Sequence, residues 1–104
     1  MKVRLHTNAE GKATALIIYC PGCQSGHVFS NLTEERGWKW DGNAEAPTCQ
    51  PSLLINPKGE YHVPGVPLCH LVLTAGVIYF CPDSEHPFAG KSIPLVDFPP
   101  DYYS

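Results

Sequence analysis

The stretch YCPGCQSGHVF, Tyr19 to Phe29, sets two cysteines and a histidine within eight residues, directly after the strand-forming run ATALIIYC. In Cys-Pro-Gly-Cys, Pro21 fixes one backbone angle and Gly22 tolerates the positive one that a tight turn can require. Cys20 and Cys23 can therefore bring both sulfurs to one point. Backbone amides after the first cysteine can also point at the thiolates, which suits a thiophilic ion such as zinc. Thioredoxin-like proteins use the same spacing for redox work, but there the motif opens a helix within a βαβ pattern. No such helix is written after Cys23, so the stretch reads as a zinc knuckle joining two strands.

A knuckle matters in a chain of this size. With 104 residues the expectation is one domain, 1–104, with a core small enough for a metal staple to contribute noticeably. Hydrophobic residues make up 43% and charged ones 16%, and 11 Pro and 9 Gly are spread along the chain, the composition of a loop-rich compact fold. Net charge is -3 and the seven Lys and Arg form no cluster, so no nucleic-acid footprint is visible. The N-terminal residues lack a signal-like apolar run, and nowhere is there a stretch of the ~18 apolar residues that a spanning helix needs. The expectation is a soluble cytoplasmic protein. In that reducing compartment five cysteines, an odd number, read as metal ligands plus buried thiols rather than disulfides.

The remaining pattern is mainly β, a small antiparallel fold with little helix. Lys2 to Thr7 alternates, turns at NAEGK and returns as ATALIIYC, and HVFSNL leaves the knuckle as another strand. GWKWDGN puts Trp38 and Trp40 on one face of a short strand, as core or core-edge cover. In PTCQPSLLINPKG the prolines keep the chain extended, and SLLI is the part able to pair. SNLTEERG offers the one helical turn, with Asn31 as N-cap and Gly37 as stop.

The clearest hairpin is CHLVLTAGVIYFCPD. With Ala75-Gly76 as its two-residue loop, Thr74 faces Val77 and His70 faces Cys81. Cys69, Leu71, Leu73, Ile78 and Phe80 then share the core face, while His70, Val72, Tyr79 and Cys81 share the other. In a regular strand Cys69 and His70 cannot both point at one ion.

A zinc ribbon would repeat CxxC roughly 15 to 20 residues on, and this chain does not. The further candidate ligands lie in CH (Cys69, His70) and CPDSEH (Cys81, Asp83, His86), near the two ends of that hairpin. The bland readings are that Cys49 and Cys81 are buried small side chains, that His27 bonds a backbone carbonyl and that Asp83 caps a turn. The order CPGC…GH, WKWDGN…PT…PSLL, CH…G, D..H..AG…PL..FP resembles a family of small uncharacterised phage and prophage proteins, sometimes labelled ammonia monooxygenase, from about Cys20 to Pro99. That label calls for membrane helices and copper or related redox chemistry, and the sequence contains neither signal. The resemblance implies the set Cys20, Cys23, His27, Cys69, His70, Asp83 and His86.

The expected zinc ligands are Cys20, Cys23, Cys69 and His86, a closed structural arrangement, with His70, His27 and Asp83 as alternate ligands or as groups orienting the ligands. Two function classes follow. One is a zinc-stapled binding module that engages an unidentified protein partner, in the host cytoplasm if the chain is phage-encoded. The alternative is a zinc-dependent hydrolase with an open metal position beside His27, His70 or Asp83. Thiolate-rich sites usually close and no HExxH motif is present, which favours the module.

Overall fold

Side-chain alternation builds two antiparallel sheets whose apolar faces meet in one core. The computed structural model describes residues 2–100 and 102. The first sheet has the order β1 (Val3–Thr7), β2 (Ala13–Cys20), β3 (Ser25–Phe29). The second runs β4 (Lys39–Trp40), β5 (Cys49–Ile55), β6 (Cys69–Thr74), β7 (Val77–Phe80), β8 (Ser92–Pro94). Val3, Leu16, Ile18 and Phe29 from one sheet and Leu53, Leu71, Leu73, Ile78 and Phe80 from the other are all buried in a single cluster. Burying such side chains contributes about 1.5–3 kcal/mol each, so this cluster holds the sheets face to face. Cys20 and Cys69 lie in the same cluster, one from each sheet.

The β6–β7 hairpin has the expected register, Thr74 opposite Val77 and Leu71 opposite Phe80. Its loop residues Ala75 and Gly76 both take positive φ (48° and 77°), as a tight two-residue hairpin turn requires. Cys69, Leu71, Leu73, Ile78 and Phe80 are fully buried, and His70 and Val72 face outward, half-buried.

Strand β5 is irregular. It pairs with β6 through Cys49↔Leu73 and Leu53↔Leu71, so Gln50, Pro51 and Ser52 occupy the length that Val72 alone spans on β6. Pro51 lacks a ladder donor and sits inside this bulge, where a strand tolerates it. The Trp38 indole donates to the Pro51 carbonyl at 3.1 Å and tethers the bulge from the β4 side.

Two local expectations are corrected. SNLTEERG forms turns rather than a helical turn, with Asn31 at φ 55° and Glu34 N–H donating to Asn31 O and Gly37 N–H to Glu34 O. A Cβ on Gly37 would overlap the Asn31 carbonyl, so Gly37 serves a close backbone approach instead of a helix stop. Among the described residues there is no helix. In the knuckle the positive φ falls on Gln24 (56°), not on Gly22. Gly22 is small because the His86 ring packs where its Cβ would stand.

Candidate functional site

The knuckle is the turn of the β2–β3 hairpin. Cys20 pairs with Ser25, and Gln24 N–H closes the turn on the Cys20 carbonyl at 2.8 Å. The Cys23 amide donates to Cys20 Sγ at 3.3 Å, the thiolate-directed amide that the motif implies. Register puts His27 opposite Ile18, on the same inner face as Cys20. Cys69, first residue of β6, enters that face from the other sheet, with its sulfur 4.0 Å from Cys20 Sγ. One ligand atom each from Cys20, Cys23, His27 and Cys69 lies within 4.8 Å of the others, so this cluster could bind a metal ion that ties the two sheets together.

The two imidazoles at the cluster differ in where their protons lie. His27 Nδ1 donates to the Gly26 carbonyl at 3.0 Å, which leaves Nε2 with a free lone pair. His27 is 5% exposed, and that Nε2 is a buried nitrogen without a hydrogen-bond partner. A bare buried lone pair among three sulfurs costs free energy unless something coordinates it. His86 is the reverse case. Its Nδ1 accepts from the Phe88 amide at 3.2 Å, so Nε2 carries the proton and donates to Cys69 Sγ at 3.5 Å. His27 therefore joins Cys20, Cys23 and Cys69 in the group that could hold a metal ion, while His86, expected as a ligand, lies beside it with its Nε2 3.5 Å from Cys69 Sγ.

The sulfurs compete for charge. Hydrogen bonds from the Cys23 and then the Cys69 side chains hold the Cys20 thiol far below its ordinary range, against the effect of burial. The bond with Cys20 pushes Cys23 up to about 12, and bonds with Cys20 and Cys23 push Cys69 well above the usual thiol range. A divalent cation among them would favour ionisation of all three sulfurs. Cys49 lies elsewhere in the core, raised to about 11 chiefly by burial.

His70 and Asp83, weighed above as alternates at the metal, face away from the cluster. Because β6 alternates, His70 emerges on the opposite side of the sheet from Cys69. There its Nδ1 lies 3.1 and 3.2 Å from the two Asp83 carboxylate oxygens and its Nε2 lies 3.2 Å from Ser52 Oγ. This is the connectivity of a Ser-His-Asp triad: a hydroxyl on one ring nitrogen and a carboxylate on the other. The imidazole backbone is clamped as well. Ser84 Oγ accepts from His70 N–H at 3.0 Å and donates to His70 O at 3.1 Å, and the Cys81 amide donates to the same carbonyl at 2.8 Å. Ser84, not Asp83, thus satisfies the strand end, which leaves the carboxylate to the ring. The Leu68 amide donates to Glu85 Oε1 at 2.9 Å and the Glu85 amide to Leu68 O at 2.8 Å, fastening the loop after β7 to the entrance of β6.

Ser52 was not among the residues singled out from the sequence. It stands one residue after Pro51 in the β5 bulge, on the face that Leu54 and His70 share. The available signal was a serine at an outward position of the otherwise apolar SLLI strand, two residues before Leu54, next to a strand whose outward residue is a histidine.

No significant match was found among curated proteins or among solved structures. A family model does match, over residues 2–81, a span that holds Cys20, Cys23, His27, Ser52, Cys69 and His70 and stops two positions before Asp83. Its description is a bacterial ubiquitination-like system serine protease. With the model matched over residues 2–81, the chain belongs to this family, BubE.

Proposed function

We propose that the chain is a serine protease whose nucleophile is Ser52, whose general base is His70 and whose orienting carboxylate is Asp83, acting on a protein of a bacterial ubiquitination-like system. The observation that carries this reading is His70 bridging Ser52 Oγ at 3.2 Å and Asp83 at 3.1 Å. With Nδ1–H donated to Asp83, the His70 Nε2 lone pair faces the Ser52 hydroxyl. As Ser52 Oγ attacks a carbonyl carbon, Nε2 takes its proton, and Asp83 stabilises the imidazolium that forms. The same Nε2 then returns the proton to the leaving amine. A water molecule, deprotonated in turn by His70, releases the acyl group from Ser52. The chain order is Ser, His, Asp, and the partners sit on three successive segments of one sheet: the β5 bulge, the start of β6 and the turn after β7.

The metal cluster has a separate, structural task in this reading. Cys20, Cys23, His27 and Cys69 would hold zinc as a closed set of three thiolates and one imidazole, with His86 bonded to the Cys69 sulfur. Such an ion supplies folding energy and anchors the first residue of β6, immediately before the catalytic His70. The hydrolase alternative keeps its His and Asp, but with a serine nucleophile in place of a metal-bound water. The protein partner expected of a binding module becomes the substrate. Thiolate ligands that must stay reduced fit the cytoplasm.

A fluorophosphonate probe, which esterifies only activated serines, tests the reading. The wild-type chain is expected to be labelled at one position, located at Ser52 by peptide mass analysis, and Ser52→Ala and His70→Ala to lose the label while melting like wild type. Labelling that persists in Ser52→Ala, or none in folded wild type, would overturn it.

A further inference from the structure

Cys81 is absorbed by neither site. It follows β7 directly, pairs its amide with the His70 carbonyl at 2.8 Å, and so stands opposite the catalytic imidazole on the same outer face. One ligand atom each from His70, Cys81 and Asp83 lies within 4.8 Å of the other two. His70 and Cys81 are half-buried and Asp83 is exposed, so the group is reachable from solvent. Two of the donors are fixed relative to each other by the ladder, and Ser84 bonds both backbone groups of His70.

The geometry points to a second, reversible metal site at His70, Cys81 and Asp83, which takes Zn²⁺ or a similarly thiophilic divalent cation and switches the triad off. One thiolate, one imidazole and one carboxylate are a zinc-type donor set, whereas Mg²⁺ and Ca²⁺ call for oxygen ligands. On binding, the ion displaces the Cys81 thiol proton to solvent and takes a lone pair of His70. If it takes Nδ1, the proton shared with Asp83 is lost; if Nε2, the base no longer faces Ser52. Either way the imidazole cannot accept the serine proton. Three donors with a position left to water make a weaker, exchangeable site than the buried knuckle, whose four donors come from two sheets. The inhibitory consequence rests on the protease reading; the binding of the ion does not.

The test uses the whole chain as purified, with its knuckle metal, and free Zn²⁺ as the probe. Zinc bound at equilibrium is measured by dialysis and elemental analysis for wild type, Ser52→Ala and Cys81→Ser, and fluorophosphonate labelling is followed with and without zinc. Wild type and Ser52→Ala are expected to bind one more equivalent than Cys81→Ser. The loss of affinity should exceed the roughly 10–100-fold that removal of an outer-shell partner costs a metal site. Zinc should suppress labelling of wild type, reversibly on mild chelation, and leave Cys81→Ser labelled as before. Equal stoichiometry in wild type and Cys81→Ser, or equal suppression in both, overturns the site. Absence of labelling in every zinc-free sample defeats the protease reading instead, and the difference in stoichiometry still decides the metal site.

Discussion

Asp83→Asn tests how much of the triad's power this unusually open arrangement retains. The substitution keeps the shape but removes the charge that stabilises the His70 imidazolium, and an amide NH₂ turned toward the ring favours the wrong tautomer. The attraction lost is that of two unit charges about 4 Å apart, ~1 kcal/mol in water and ~4 kcal/mol at an effective dielectric of 20. Asp83 is 56% exposed and His70 29%, so the pair sits between those limits. At about 1.4 kcal/mol per factor of ten, the acylation rate should fall between about 5- and 1,000-fold. That is smaller than the ~10⁴-fold loss typical of a buried triad aspartate. The assay is the pseudo-first-order rate of fluorophosphonate labelling, with thermal melting to confirm that the variant is folded. A wild-type rate in folded Asp83→Asn would refute the assignment of Asp83 as the orienting carboxylate.

Adjacent residues should separate the two sites: without added zinc, Cys69→Ala is expected to lose the knuckle zinc and melt well below wild type, whereas His70→Ala keeps the knuckle zinc and loses serine labelling, as elemental analysis and the probe would record. His27→Ala should release the metal and His86→Ala retain it with reduced affinity, because only His27 offers a bare lone pair; metal retention in His27→Ala would return His86 to the ligand set. Cys20→Ser should destabilise far more than Cys49→Ser. The second costs about 1–3 kcal/mol for a buried hydroxyl in the core, while the first forfeits metal-coupled folding energy, and melting temperatures compare them directly. Gly22→Ala must displace the His86 ring, an overpacking cost of about 1–3 kcal/mol that should be relieved in the double variant with His86→Ala.

Much of the site's layout was legible in a period of two. Alternation along CHLVLT places Cys69 and His70 on opposite faces, and the AG turn fixes which β7 residues they meet, so a core-facing sulfur and an outward imidazole follow from local pattern alone. The knuckle was equally local, because a Cys-Pro-Gly-Cys turn between strands can form without reference to the remaining chain. Ser52 was not legible. It reaches His70 because β5 spends three residues where β6 spends one, and a bulge is set by partners on both sides, here Val72 on β6 and Trp38 just before β4, that strand pattern does not name. The choice between His27 and His86 was likewise tertiary. Both rings approach the sulfurs, and the decision lies in which nitrogen each backbone neighbour claims: the Gly26 carbonyl takes the Nδ1 proton of one, and the Phe88 amide takes the Nδ1 lone pair of the other. Sequence determined which side chains could meet on each face of the sheet; only packing decided which atom each imidazole nitrogen meets, and the proposed roles of His27 as a metal ligand and His70 as a general base rest on that.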